Sequence, residues 1–321
     1  MAKRPILAVT RLLPAAVEAR ISASYDARLN STDALMEREE LLDHAQGADA
    51  LLACPTDKLS AETIAFLPGS IKIISTFSVG YDHIDIAAAR TRDIMVTNTP
   101  DVLTDATADI AMLLLLGAAR GAYWGERMVR EKRWAAWSPT NPLGLDVTGQ
   151  RLGILGMGRI GQAVARRARA FDMQIHYHGR NRLPAETEAG AVFHENLDEF
   201  LSHCDFLSLH CASTPQTRGM INAARLSHLP RGAVLINTSR GDIVDDNAVI
   251  AALQSGQLAA AGLDVFKNEP NIDPRYRELE TVFLLPHLGS ATLGTREAMG
   301  HRAVDNLDAF FAGKTPGDLV S

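Results

Sequence analysis

The stretch from Arg151 to Arg182, RLGILGMGRIGQAVARRARAFDMQIHYHGRNR, constrains the fold more than any other part of the chain. Leu152–Leu155 reads as a short apolar strand, broken by Gly156-Met157-Gly158-Arg159-Ile160-Gly161. Ile160, Val164, Ala168 and Phe171 then recur at three- and four-residue steps, which marks one face of a helix, and Gln174–Tyr177 reads as a second strand. A glycine triplet of this spacing is informative only in such a setting. There Gly156 permits a tight turn, Gly158 lets backbone approach a pyrophosphate, and Gly161 lets helix and strand pack closely. The amides and dipole at the helix start, with Arg159 and Ile160 in its first turn, would then hold phosphate charge. The plainer account, an ordinary glycine-punctuated turn, explains the glycines but not the full strand–helix–strand context.

Alternation of short strands and helices runs through the rest of the chain. Before residue 100, strands are expected at Ile6–Val9, Tyr25–Leu29, Ala50–Ala53, Ile71–Ser75 and Ile94–Thr97, with helices at Ala15–Ile21, Ala34–Ala45 and Ala61–Phe66. Val102 to Trp134 reads as helical, and 106–119 is apolar on nearly every side, which suits burial between layers or between subunits. After the glycine unit, strands are expected at Phe206–His210, Ala233–Asn237, Ala260–Val265 and Val282–Leu285. Helices are expected at Leu197–His203, Ala223–Leu229, Ala248–Gln254 (capped by Asp245 or Asp246 and stopped by Gly256) and Arg296–Phe311. At 321 residues the chain exceeds what a single core usually supports, so the fold class is α/β with two doubly wound parallel-sheet domains.

The net charge of -6 gives no electrostatic case for nucleic acid or an anionic membrane as partner. Cys54, Cys204 and Cys211 are odd in number and lack metal-ligand spacing, which suits free thiols in a reducing cytoplasm; no metal is expected. The start, MAKRPILAVT, has no long apolar core or cleavage signature, and Ile110–Ala119 is far shorter than the roughly 20 residues of a membrane span.

Three polar clusters follow strand ends in the second half, and in an open parallel sheet those ends line the ligand crevice. They are Asn237-Thr238-Ser239-Arg240-Gly241-Asp242, then Gly262-Leu263-Asp264-Val265-Phe266 with Glu269 soon after, and Pro286-His287-Leu288-Gly289-Ser290. An arginine, a carboxylate and a histidine converging on a dinucleotide suit the reduction of a 2-keto acid. Arginine holds a carboxylate with a bidentate fork. Histidine donates a proton to the oxygen that becomes negative, and a carboxylate on its other nitrogen sets the tautomer. Each residue alone has a structural account: Glu269 solvated, Arg240 capping a turn, His287 packed after a strand.

The runs GMGRIG, NTSRGDIVDD, GLDVFKNEP and LLPHLGSAT resemble the successive signatures of the D-isomer-specific 2-hydroxyacid dehydrogenases, and more narrowly the glyoxylate/hydroxypyruvate reductase branch. The resemblance implies a Rossmann domain, residues 101–292, inserted into a discontinuous flavodoxin-like substrate domain, residues 1–100 plus 293–321. It implies that Arg240 binds carboxylate and carbonyl oxygen, that Glu269 orients the proton donor His287, and that Asp264 holds the nicotinamide carboxamide. Val79 and Gly80, in SVGYD, become substrate-binding amides. Thr107, His210, Thr214, Thr217, Thr238 and Gly289 become cofactor-lining positions. Trp137, which composition alone leaves as core or surface, resembles a tryptophan that crosses a homodimer interface into the partner's site. His83, His176 and His178 are assigned to structure or surface. The implied activity is reduction of small 2-keto acids, glyoxylate and hydroxypyruvate among them, to D-2-hydroxy acids. A different 2-hydroxy acid, or a cofactor-sensing interaction protein like the corepressors that keep the same trio, stays open. A 3-phosphoglycerate dehydrogenase is disfavoured because the chain ends soon after its returning helix, and a formate dehydrogenase because that relative has glutamine where Glu269 stands.

Cofactor choice is read from Tyr177-His178-Gly179-Arg180-Asn181-Arg182. NAD-binding forms of this fold place an acid about 20 residues past the glycines, on the ribose 2′-hydroxyl. Here Gly179 takes that position, and Arg180 beside it, with Asn181, offers donors to a 2′-phosphate; Arg182 could add a second charge. NADPH is therefore expected over NADH.

Overall fold

The computed structural model describes residues 4–320. Residues 1–3, with which the N-terminal run read for a targeting signal begins, and residue 321, the last of the expected substrate domain, lie outside the described residues. The chain folds into two compact units, one running up to Leu103 and resuming at Ala291, the other Thr104–Ser290.

In the first unit β1 (Ile6–Val9), α1 (Ala15–Ser24), β2 (Asp26–Arg28), α2 (Arg38–His44), β3 (Ala50–Ala53), α3 (Ala61–Phe66), β4 (Ile73–Thr76), α4 (Ile86–Thr91) and β5 (Met95–Thr97) alternate. The strands pair in parallel in the order β2-β1-β3-β4-β5, which is the flavodoxin-like order. β3 and β4 are buried at every position, as strands covered by helices on both faces must be. The helix expected from Ala34 begins four residues later. Glu37 and Glu40 form a reciprocal capping box there, and the preceding Asn30–Ala34 segment is held as a turn by its own side chains.

The second unit contains α5 (Thr104–Ala119), α6 (Ala122–Arg130), β6 (Arg151–Leu155), α7 (Arg159–Ala168), β7 (Gln174–His178), α8 (Ala185–Glu188), β8 (Val192–Phe193), α9 (Leu197–Ser202), β9 (Phe206–Leu209), α10 (Ala223–Leu226), β10 (Ala233–Asn237), α11 (Asp246–Ser255), β11 (Leu258–Leu263) and β12 (Val282–Leu284). Its parallel sheet runs β12-β11-β10-β9-β6-β7-β8, the Rossmann order, which reverses between β6 and β9. Alternate residues of β10 serve opposite layers: Val234 and Ile236 pack with α5 and α7, while Ala233 and Leu235 pack with α11. The last helix, α12 (Leu293–Phe311), belongs to the first unit. It lies on α1 and β4, where Gly300 meets Val17 at a distance no Cβ could share and Ser75 donates to the Ala303 carbonyl.

Two expectations change. The helix read through to Trp134 is two helices bent by 68°, because Gly121 takes φ 61° and Trp124 packs over it. And α5 is covered by its own unit: a Cβ at Gly262 would sit 2.7 Å from the Leu114 carbonyl oxygen, and one at Gly117 would sit 2.5 Å from the Phe283 ring. Only Leu113 of its large apolar side chains stands well exposed, at 46%. The most exposed large apolar side chains of this unit are instead on α6 and the loop after it, at Val129, Trp134, Trp137 and Leu143. No single described helix is long and apolar enough to cross a membrane.

Candidate active site

Strand register brings the site residues to one edge of the Rossmann sheet. His178 of β7 pairs with Leu155 of β6, Leu155 with Leu209 of β9, Leu209 with Asn237 of β10, Asn237 with Leu263 of β11, and Leu263 with Leu284 of β12. One or two steps beyond that row come Gly179, Gly156, His210, Thr238, Asp264 and Leu285, with Arg240 and His287 just after. Carboxyl ends at a topological reversal are where open α/β sheets bind ligands.

The glycine turn shows a different constraint at each position. Gly156 takes φ 97°, and a Cβ there would come 2.7 Å from the Cys211 amide nitrogen. At Gly161 a Cβ would lie 2.4 Å from the Gly156 carbonyl oxygen. At Gly158, the residue before α7, it would meet nothing within 4 Å, and no side chain caps the helix start. Open backbone thus faces outward from the turn, flanked by exposed Arg159 and half-buried Ile160.

On the next strands His210 bonds the Ser208 hydroxyl at 2.8 Å and approaches Thr238 at 3.4 Å; burial pushes its ring down to about 4, so it is neutral. Thr214 and Thr217 close a short turn in which the Thr217 hydroxyl accepts from the Thr214 amide and donates to the Ala212 carbonyl.

Asp264 is buried and accepts from the amides of Leu288 at 2.6 Å and Gly289 at 2.8 Å; burial nonetheless raises its carboxyl. Thr107 donates to the Gly289 carbonyl at 3.0 Å, tying α5 to the same loop. These bonds set the backbone of His287, whose amide donates to the Asp264 carbonyl and whose φ is 56°, a region non-glycine residues seldom occupy. The His287 Nδ1–H donates to Glu269 Oε2 at 2.8 Å, and the Phe266 amide donates to Glu269 Oε1 at 2.6 Å. Burial works to raise the Glu269 carboxyl, but the bond and charge of His287, the Phe266 amide and the Arg240 charge together hold it below the usual range. The carboxylate therefore accepts, and His287 keeps Nε2 for another partner. Arg240 is half-buried, with Nη1 donating to the Ser239 carbonyl. Its loop can lie against the Glu269 loop only because the next residue is Gly241: a Cβ there would be 1.9 Å from the Phe266 carbonyl carbon. Gly241 stands in the first polar strand-end cluster without a role of its own there, and its place directly after the arginine is the sign of this close approach.

At the end of β7, a Cβ on Gly179 would have only the Asn181 carbonyl oxygen, at 3.9 Å, within reach, and Arg180 and Asn181 are exposed. Arg182 differs from the reading that gave it a second phosphate charge. It forms a bidentate pair with buried Glu188, at 2.9 and 3.1 Å, and Glu188 also accepts from the Tyr177 hydroxyl at 2.6 Å. In the first unit Val79 and Gly80 follow β4; their carbonyls accept from Asn98 and Ser78, and their amides donate to no other described residue. Trp137 is 79% exposed in the second unit.

A Rossmann sheet with this glycine turn and an Arg–Glu–His cluster along its carboxyl edge defines a dinucleotide-dependent oxidoreductase. The profile of the D-isomer specific 2-hydroxyacid dehydrogenase, NAD binding domain, matches residues 112–289. The chain is 47% identical to a glycerate dehydrogenase of Hyphomicrobium methylovorum, over 98% of both chains. It is 42% identical to a glyoxylate reductase of Thermococcus kodakarensis, over 99% of this chain and 96% of the other. Among solved structures, an NADPH-dependent glyoxylate/hydroxypyruvate reductase from Sinorhizobium meliloti, in complex with NADP and malonate, superposes with a TM-score of 0.90 at 35% identity, covering 99% of this chain and 97% of that one. The chain belongs to the D-isomer specific 2-hydroxyacid dehydrogenase family, in its glyoxylate/hydroxypyruvate reductase branch.

Proposed function

We propose that the protein reduces small 2-keto acids, glyoxylate and hydroxypyruvate among them, to D-2-hydroxy acids with NADPH, as a cytoplasmic homodimer. The observation that carries the reaction is the chain of bonds from the Phe266 amide through Glu269 to His287 Nδ1, which commits Nδ1 and keeps Nε2 for the substrate, with the Arg240 charge also acting on Glu269. The turn fits a dinucleotide: Gly158 and the uncapped start of α7 give open backbone to a pyrophosphate, with Gly156, Arg159, Ile160 and Gly161 shaping it. In this reading Thr107, His210, Thr214, Thr217, Thr238 and Gly289 are the further cofactor-lining positions, and Asp264 would take the carboxamide end. When bound, the nicotinamide supplies a hydride to the keto carbon.

The protein's own residues do the rest. Arg240 grips the substrate carboxylate and carbonyl oxygen with its planar fork, assisted by the Val79 and Gly80 amides. His287 Nε2 gives its proton to the oxygen as charge develops there, and Glu269 steadies the ring that passes it on. Trp137, so exposed in its own chain, would reach the partner's substrate site.

NADPH is favoured by the space at Gly179, which lacks the carboxylate that would repel a 2′-phosphate, and by exposed Arg180 and Asn181 beside it. The test is kcat/KM for glyoxylate with NADPH and NADH, in wild type, Arg180→Ala and Arg182→Ala. Wild type should prefer NADPH, Arg180→Ala should lose most of that preference, and Arg182→Ala, already paired to Glu188, should keep it. Preference for NADH, or an unchanged ratio in Arg180→Ala, would overturn the cofactor reading; no turnover with either cofactor would overturn the activity.

A further inference from the structure

On the opposite side of β7 from Tyr177, four histidines crowd together. His176 Nδ1 and His194 Nε2 share a hydrogen bond of 2.9 Å, and the His203 ring stacks on His176 at 5.3 Å between centroids and lies tilted against His194 at 4.9 Å. The His194 backbone is held from two sides by β7, its amide donating to the Tyr177 carbonyl and its carbonyl accepting from His178 Nδ1. Glu199 lies in α9 and His203 caps its C-terminal end four residues on, so the two side chains come to the same side of the helix end. That face meets His194: one ligand atom each from His194, Glu199 and His203 lies within 4.8 Å of the other two. His194 Nδ1 and Glu199 Oε1 are 3.8 Å apart, too far for a hydrogen bond. The His203 ring bonds no other described residue.

We propose that His194, Glu199 and His203 bind a divalent first-row transition metal, with His176 as the partner that orients His194. Imidazole and carboxylate donors suit zinc, copper or nickel and disfavour magnesium or calcium. In a tetrahedral zinc site, bonds of about 2.0–2.2 Å set neighbouring donors roughly 3.4 Å apart. Closing from the observed spacing asks for about an ångström of movement. Glu199, exposed at the end of a rotatable side chain, can supply that movement. The bond between His194 Nε2 and His176 Nδ1 directs the other nitrogen, Nδ1, at the site, the outer support that ligating histidines commonly have. His194 is buried while Glu199 faces solvent, so a cation enters from Glu199's side and a fourth position stays open to water. The ion would brace β7, β8 and α9 against one another, away from Arg240, Glu269 and His287. No cysteine takes part, so the cysteine spacing from which no metal is expected carries no sign of this site.

The test uses the full-length protein freed of metal with a chelator, titrated with zinc alone by calorimetry, with bound metal counted by mass spectrometry. One zinc per chain at micromolar concentration is expected, with a raised thermal midpoint. His203→Ala and Glu199→Gln should each weaken binding at least 10-fold and lose the thermal shift; for His176→Asn, a change in outer support, the expected loss is about 10–100-fold. No saturable zinc binding at micromolar concentration would overturn the proposal. So would an affinity unmoved by His203→Ala and Glu199→Gln, which would place the zinc elsewhere, such as on the His287–Glu269 pair.

Discussion

At the scale of single residues, the site depends on Asp264 and Glu269 playing different parts through their surroundings. Asp264 is enclosed and accepts one amide on each oxygen, from Leu288 and Gly289, so it shapes the backbone on which His287 sits and still has a lone pair on each oxygen. Glu269 keeps one oxygen for the Phe266 amide and gives the other to the His287 ring. His287→Ala removes the proposed proton donor without touching the glycine turn. Turnover in glyoxylate reduction should fall by about 10²–10⁴-fold, the usual loss of acid catalysis, while NADPH affinity by fluorescence titration stays near wild type. Turnover close to normal would take His287 out of the mechanism. The trio was legible in the sequence because each member follows a strand whose end could be read. The pairing of Arg182 with Glu188 was not, because it depends on how α8 folds back over Tyr177.

At the scale of elements, strands were the most readable feature: buried parallel strands are apolar throughout, so Ala50–Ala53 and Ala233–Asn237 were expected at the bounds they have. Two-residue β8 and short α4 and α8 escaped because so few residues carry no period. Helix starts are four residues off where a local side chain competes, as at Glu37, and two off at α11, expected from Ala248 with Asp245 or Asp246 as cap and found from Asp246 with Asp245 capping. The β6–α7 turn offers a sharper check, because each of its glycines answers a different physical constraint. At Gly161 a methyl group would strike the Gly156 carbonyl, so Gly161→Ala should cost on the order of 1–3 kcal/mol and lower the thermal midpoint. Gly158 has φ -75° and open space around it, so Gly158→Ala should melt like wild type. It should nonetheless bind NADPH much more weakly, since the methyl group occupies the approach of the pyrophosphate. Normal binding by Gly158→Ala would show that the phosphate lies elsewhere.

At the scale of the whole molecule, what the chain leaves uncovered points to a second copy. The sequence reading looked to α5 for that surface, but α5 is packed onto β11, β12 and α7 within its own unit. Of the second unit's large apolar side chains, the most exposed are Val129 on α6 and Trp134, Trp137 and Leu143 on the following loop, at 61%, 58%, 79% and 72%. Beside them a cavity of about 160 Å³ is lined by Gly121, Trp124, Leu143 and Phe283. Scattered apolar residues on a surface require no explanation, but four large ones gathered on one arm, two of them tryptophan, are the composition of an interface. A two-fold arrangement satisfies the surface with itself, because each copy offers both the arm and the cavity. Sedimentation velocity at micromolar concentration should therefore report a species of twice 34.7 kDa. Val129→Asp with Leu143→Asp should shift it toward the single chain, since each buries an unpaired charge in the contact. A wild-type protein that sediments only as 34.7 kDa at that concentration would rule the homodimer out, and with it any role for Trp137 in a partner's site.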